Sequence, residues 1–77
     1  MSMTSPEIKA MLEGSMPDAR IDVQGGDGKF QVEIVSGAFE GLNRVKRQQA
    51  VYRILNEHIS SGAIHAVSMI LKTPAEA

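Results

Sequence analysis

Few side chains in this sequence could do chemistry, and they fall into two groups. The first lies in the stretch FEGLNRVKRQQAVY, residues 39–52, where Arg44, Lys46 and Arg47 follow Asn43 and precede Gln48. Asn43 is a good helix N-cap, so the three cations fall in or near the first turn of the helix that follows. Cations there oppose the helix dipole by roughly 0.3–1 kcal/mol each, where Asp or Glu would be favourable. An anion would offset that cost, because free amides, the positive end of the dipole and three side chains would converge on it. Arg44, Lys46, Arg47 and Gln48 are therefore the candidates for binding a phosphate, a carboxylate or an acidic protein surface. The competing reading is a run of solvated side chains on an exposed turn.

The second group is one residue. His65 stands near the start of IHAVSMILK, just after a Gly-Ala pair. With Val67, Met69 and Leu71 turned towards the helices, His65 shares their side and sits at the rim, where an imidazole reaches solvent or a partner. Neutral imidazole is a common ligand for iron and zinc. A closed site takes about four ligands, and the chain contains no cysteine. Any metal at His65 would have to be shared with a second protein. His58, on the apolar side of a helix, reads as structural.

Other chemistries lack their residues. GGDG, residues 25–28, lies between two strands and does not open a helix, so it is a turn and not a phosphate loop. No serine has a histidine at motif spacing, and no acid, base and nucleophile can be assembled, so an enzyme is not expected. Asp22 and Glu33 fall on outward strand positions, with Arg20 as their pairing partner. Single-stranded nucleic-acid binders interleave aromatic platforms with cations, and here only Phe30, Phe39 and Tyr52 are aromatic.

The elements that must position these groups are legible in the periodicity. Thr4 and Ser5 are alternative N-caps, with Pro6 in the first turn and Glu7 completing a capping box. Ile8, Met11 and Leu12 form an apolar stripe, ended by Gly14 and Pro17. Ile21 and Val23, then Phe30, Val32 and Ile34, alternate with polar residues and predict two antiparallel strands about the GGDG turn. A helix is expected over Arg44 to Ser60, with Val51, Ile54, Leu55 and Ile59 on one face. The run from Ile64 reads as a strand buried on both sides or central in a sheet. The order α-β-β-α-β, with a right-handed crossover into the last strand, predicts an α+β domain: a three-stranded mixed sheet with helices on one face.

Seventy-seven residues make a single domain over 1–77, with residues 1–4 and 74–77 expected to be flexible. A net charge of −1 supplies no long-range field for nucleic acid or anionic lipid, so any anion binding must be local. There is no basic leader and no run of roughly 18 apolar residues. The cytoplasm is the expected location, with no membrane association.

FEGLNRVKRQQAVY followed by IHAVSMILKTPAE resembles the BolA family, and within it the bacterial IbaG (YrbA) branch. The resemblance covers nearly the whole chain and rests on Phe-x-Gly-x-x-Arg-Val-x-Arg-Gln-Gln together with Ile-His-Ala-Val-Ser. It implies a fold like class II KH domains and a non-enzymatic partnership with a monothiol glutaredoxin. The two proteins would share a [2Fe-2S] cluster in iron-sulfur trafficking or iron homeostasis. The glutaredoxin thiolate and glutathione would supply sulfur, and His65 nitrogen. Members commonly place a second Cys or His between the first two strands; here that loop offers Asp27, a weak second site, and Lys29. The alternative that the resemblance brings is a DNA-binding transcriptional regulator docking through the basic helix N-terminus. Where KH domains carry Gly-x-x-Gly, this chain has GLNR, residues 41–44, with Arg44 replacing the second glycine. A weak homodimer is a further alternative.

Overall fold

The computed structural model describes residues 3–77. The chain folds as α1 (Ser5–Ser15), β1 (Arg20–Gly26), β2 (Lys29–Val35), a single 3-10 turn (Gly37–Phe39), α2 (Arg44–Ser60) and β3 (Ala66–Lys72). The α1 capping box is formed in both directions: the Glu7 amide donates to Thr4 Oγ1 and the Thr4 amide to Glu7 Oε1, at 3.3 and 2.8 Å. Helix α1 runs through Gly14 to Ser15, so Gly14 is a helical residue and not the expected left-handed cap. Pro17 follows one residue after the cap. Of the loose start expected at 1–4, Met1 and Ser2 lie outside the described residues. Met3 packs on the core and Thr4 is the cap.

Strands β1 and β2 form an antiparallel hairpin in which Gly26 faces Lys29. The two turn residues, Asp27 and Gly28, have φ of 53° and 81°. Asp-Gly with two positive φ angles is the two-residue turn whose twist matches that of the flanking strands. Strand β3 then pairs parallel with β2, giving the order β1-β2-β3 and the expected mixed sheet.

Rows of inward residues cross all three strands: Ile21, Ile34 and Leu71; Val23, Val32 and Met69; Gly25, Phe30 and Val67. They pack with Ile8 and Leu12 of α1, Val51 and Leu55 of α2, and Phe39 and Ile64 in the connections. Each large side chain fully buried here contributes roughly 1.5–3 kcal/mol. The other sheet face is open, and Asp22 lies opposite Glu33 in the register. Arg20 makes no ion pair with either among the described residues; Asp22 instead accepts a 3.4 Å hydrogen bond from Gln24 Nε2.

The position of β3 departs from expectation. It is an edge strand, neither central nor covered on both faces, and its burial alternates, with Ile70 36% exposed. Ile64 precedes the strand and is buried in the core. A strand entered by a helical crossover is apolar on the helix side, and Ala66, Ser68 and Ile70 are small or apolar enough to hide the alternation in the sequence.

Candidate functional site

His65 lies one residue before β3, at the end of the sheet formed by the β1–β2 turn. The Gly28 carbonyl accepts from the amides of both His65 and Ala66, at 2.7 and 3.0 Å, which pins the backbone to that turn. The imidazole is exposed and makes no side-chain hydrogen bond among the described residues. It rests against Gly28: a Cβ there would lie 2.9 Å from His65 Cγ and 3.0 Å from Nδ1. Glycine thus serves both the positive φ of the turn and the close approach of the ring. Asp27 is exposed in the same turn, next in chain to Gly28.

The donor set is small. No group of three or more His, Cys, Asp or Glu among the described residues could hold a metal ion. A [2Fe-2S] cluster takes four ligands, usually thiolates, with histidine nitrogen in some types. An exposed imidazole free of hydrogen bonds fits one position of such a cluster; the remaining ligands would come from elsewhere.

The basic turn divides. Asn43 caps α2 as expected, its Oδ1 accepting from the Lys46 amide at 2.9 Å. Arg47, counted as a free anion-binding cation, is turned inward instead. Its Nε donates to the Leu42 carbonyl at 2.9 Å and its Nη1 to the Leu71 carbonyl at 3.1 Å. The same guanidinium grips Glu76 at both oxygens, at 2.6 and 3.3 Å, leaving the Arg47 side chain 14% exposed. Two backbone carbonyls and a carboxylate answer a cation that the helix dipole would otherwise disfavour.

The Thr73 amide also donates to Glu76 Oε1, at 2.7 Å. The hydrogen bond from Arg47 first, and that from Thr73 second, hold the Glu76 carboxyl down to about 2 from its ordinary 4.5. Residues 74–77, read from the sequence as a flexible end, form a turn with Glu76 donating to the Thr73 carbonyl and Ala77 to that of Pro74.

Between α2 and β3 runs a groove of about 680 Å³ lined by Leu42, Arg44, Gln48, Met69, Leu71 and Lys72 among others. It brings Arg44 and Gln48 together and closes on the Arg47–Glu76 pair. Lys46 is not part of it; that side chain lies with Gln49, Ala50 and Arg53 on another flank of the helix. The four residues proposed for one anion site therefore occupy two surfaces, and one of them is committed internally.

A family model described as BolA-like protein matches residues 6–76. The chain belongs to the BolA family. Over 74 residues it is 45% identical to an uncharacterized protein from the rpoN-murA intergenic region of Acinetobacter guillouiae, covering 96% of this chain and 89% of that one. It is 42% identical to the acid stress protein IbaG of Escherichia coli, covering 96% and 88%, which supports the IbaG-like branch. Among solved structures, the BolA domain of SufE1 from Arabidopsis thaliana superposes with a TM-score of 0.86 at 31% identity, covering 100% of this chain and 99% of that one.

In this BolA chain, Gly28 and Glu76 join the two sites only in the folded structure, though each leaves a signal in the sequence. TPAE at 73–76 repeats the Thr-x-x-Glu-with-proline pattern of TSPE at 4–7. In both, the glutamate Oε1 accepts from the threonine amide three residues earlier. Gly28 completes the Asp-Gly turn; its contact with a ring from the far end of the chain has no local signature.

Proposed function

We propose that this BolA-family chain is a cytoplasmic, non-enzymatic adaptor that partners a monothiol glutaredoxin, with His65 ligating iron of a [2Fe-2S] cluster shared between the two. The placement of His65 carries this reading: an exposed imidazole, without a hydrogen bond among the described residues and backed by glycine, in a chain without cysteine. Such a chain contributes one nitrogen, and the partner's thiolate and glutathione would complete the four ligands. Asp27, in the adjacent turn, is the only further acidic group that the β1–β2 loop offers. The BolA fold also occurs as a domain of the larger SufE1 of Arabidopsis, which favours a role exercised through other proteins.

Docking to DNA through the basic turn has weaker support. Arg47 is spent on Leu42, Leu71 and Glu76, and Arg44 and Lys46 lie on different flanks.

The test is to titrate a cluster-loaded monothiol glutaredoxin with this protein, wild type against His65→Ala, following visible absorption and circular dichroism. The expected result is a new spectrum saturating at a fixed ratio with wild type, absent with the variant. An unchanged spectrum with wild type, or the same new spectrum with His65→Ala, overturns the ligand assignment. The DNA reading instead requires affinity to fall by about 0.9 log units per phosphate contacted for each tenfold rise in salt.

A further inference from the structure

Edge strands present a row of unpaired backbone groups, and folded proteins blunt them with charges, proline, bulges or covering segments. Strand β3 is blunted at one end only. The Lys72 carbonyl accepts from the Ser36 amide on the β2 side of the strand, at 2.9 Å. Backbone groups of successive residues point to opposite edges, so those of Leu71 and Thr73 point to the free edge. There the Leu71 carbonyl is taken by Arg47 Nη1 and the Thr73 amide by Glu76 Oε1. Arg47 and Glu76 thus act as a side-chain substitute for a neighbouring strand.

By the same alternation Val67 and Met69 direct amide and carbonyl to the free edge, where no strand among the described residues pairs with them. From Ala66 to Leu71 the strand carries no charge and no proline. The groove beside this edge is lined by apolar Leu42, Met69 and Leu71, by the mutually paired Arg47 and Glu76, and by two further cations, Arg44 and Lys72, which leave it net positive. Neither cation makes an ion pair among the described residues.

We propose that the free edge of β3 over Val67–Leu71 is a docking site for an extended, acidic segment of a partner protein, which adds as a fourth strand. Its backbone pairs with Val67 and Met69, alternate side chains enter the groove, and its carboxylates meet Arg44 and Lys72. The positive rim selects this occupant over a second copy of the chain, which would bring its own Arg44 and Lys72 to the contact. The assignment holds whether or not His65 ligates a cluster, since it uses neither His65 nor the β1–β2 turn.

The experiment follows backbone amide resonances of the full chain during titration with a blocked peptide alternating valine and glutamate. A matched peptide alternating valine and lysine, and a single-stranded oligothymidylate, serve as comparisons. The acidic peptide is expected to shift the amides of Val67, Met69 and Leu71 and slow their exchange with solvent, with the lysine peptide roughly tenfold weaker or more. Arg44→Glu, which leaves Lys72 as the one opposing cation, should remove that preference while leaving the edge intact. Met69→Pro, which removes one edge donor, should abolish binding if its far-ultraviolet spectrum shows it folded. The proposal is overturned if the edge amides stay unmoved up to millimolar peptide, or if both peptides bind alike. It is equally overturned if the oligonucleotide binds the same amides more tightly, or if raising the protein concentration alone reproduces the shifts.

Discussion

Replacing Gly28 by alanine separates the two demands made on that residue. The first is backbone: φ is 81°, where an L side chain costs about 1–2 kcal/mol. Alanine also narrows the unfolded ensemble, which returns about 0.4–1 kcal/mol and leaves a net loss near 1. The second is contact: the new Cβ would lie 2.9 Å from His65 Cγ, 3.0 Å from Nδ1 and 3.3 Å from Cδ2. Because Cγ is the root of the ring, the imidazole cannot yield by swinging a flexible end. It must leave its rotamer, at about 0.5–1.5 kcal/mol for a ~30° departure. Gly62 isolates the first demand, with φ of 85° and nothing within 4 Å of its added Cβ. With a urea slope of about 1 kcal/mol/M for so small a chain, Gly62→Ala should lower the unfolding midpoint by about 1 M. Gly28→Ala should lower it by about 2 M. Only Gly28→Ala should move the ring resonances of His65 and, on the proposed function, weaken the spectrum of the cluster shared with a glutaredoxin. Unchanged His65 resonances in Gly28→Ala, or an equal change in Gly62→Ala, would refute the claim that glycine seats the imidazole.

Two further outcomes are expected. The folded-state pKa of Glu76 is depressed, so the stabilisation it brings is present above its ordinary value of 4.5 and lost as pH falls towards about 2. The Tm advantage of wild type over Glu76→Gln should therefore be constant above pH 4.5 and shrink below it; a gap that does not change through that window would show that Arg47 and Thr73 do not hold the ionised form. Leu55 is fully buried, so Leu55→Ala should cost about 2–5 kcal/mol. Against a total of about 4–11 kcal/mol for a domain of this length, denaturant unfolding should show a strongly destabilised fold. A loss below about 1 kcal/mol would mean that the core collapses around the gap.

Local chemistry and periodicity determined much of this protein. Thr4 with Glu7 marked one helix start and Asn43 the other, because caps act within a single turn. Alternation over Ile21 to Ile34 about the GGDG stretch settled an antiparallel hairpin, since strand period is local; the structure narrowed the turn to Asp27 and Gly28, with Gly25 and Gly26 in β1. The sequence also showed His65 beside the last strand in a chain without cysteine.

Tertiary structure decided what depends on neighbours remote in sequence. An apolar run looks the same on a central strand and on an edge entered from a helix, so only the sheet order placed β3 at the rim with a free edge. Charge type says nothing of where a long side chain turns, and Arg47 turned to carbonyls and a carboxylate up to 29 residues away. Helical twist then put Arg44 and Lys46 on different flanks. The seat of His65 joins Gly28 to a residue on the far side of α2. Contacts of that kind arise only when the crossover returns β3 alongside β2, which is why a turn that looks local takes part in a non-local site.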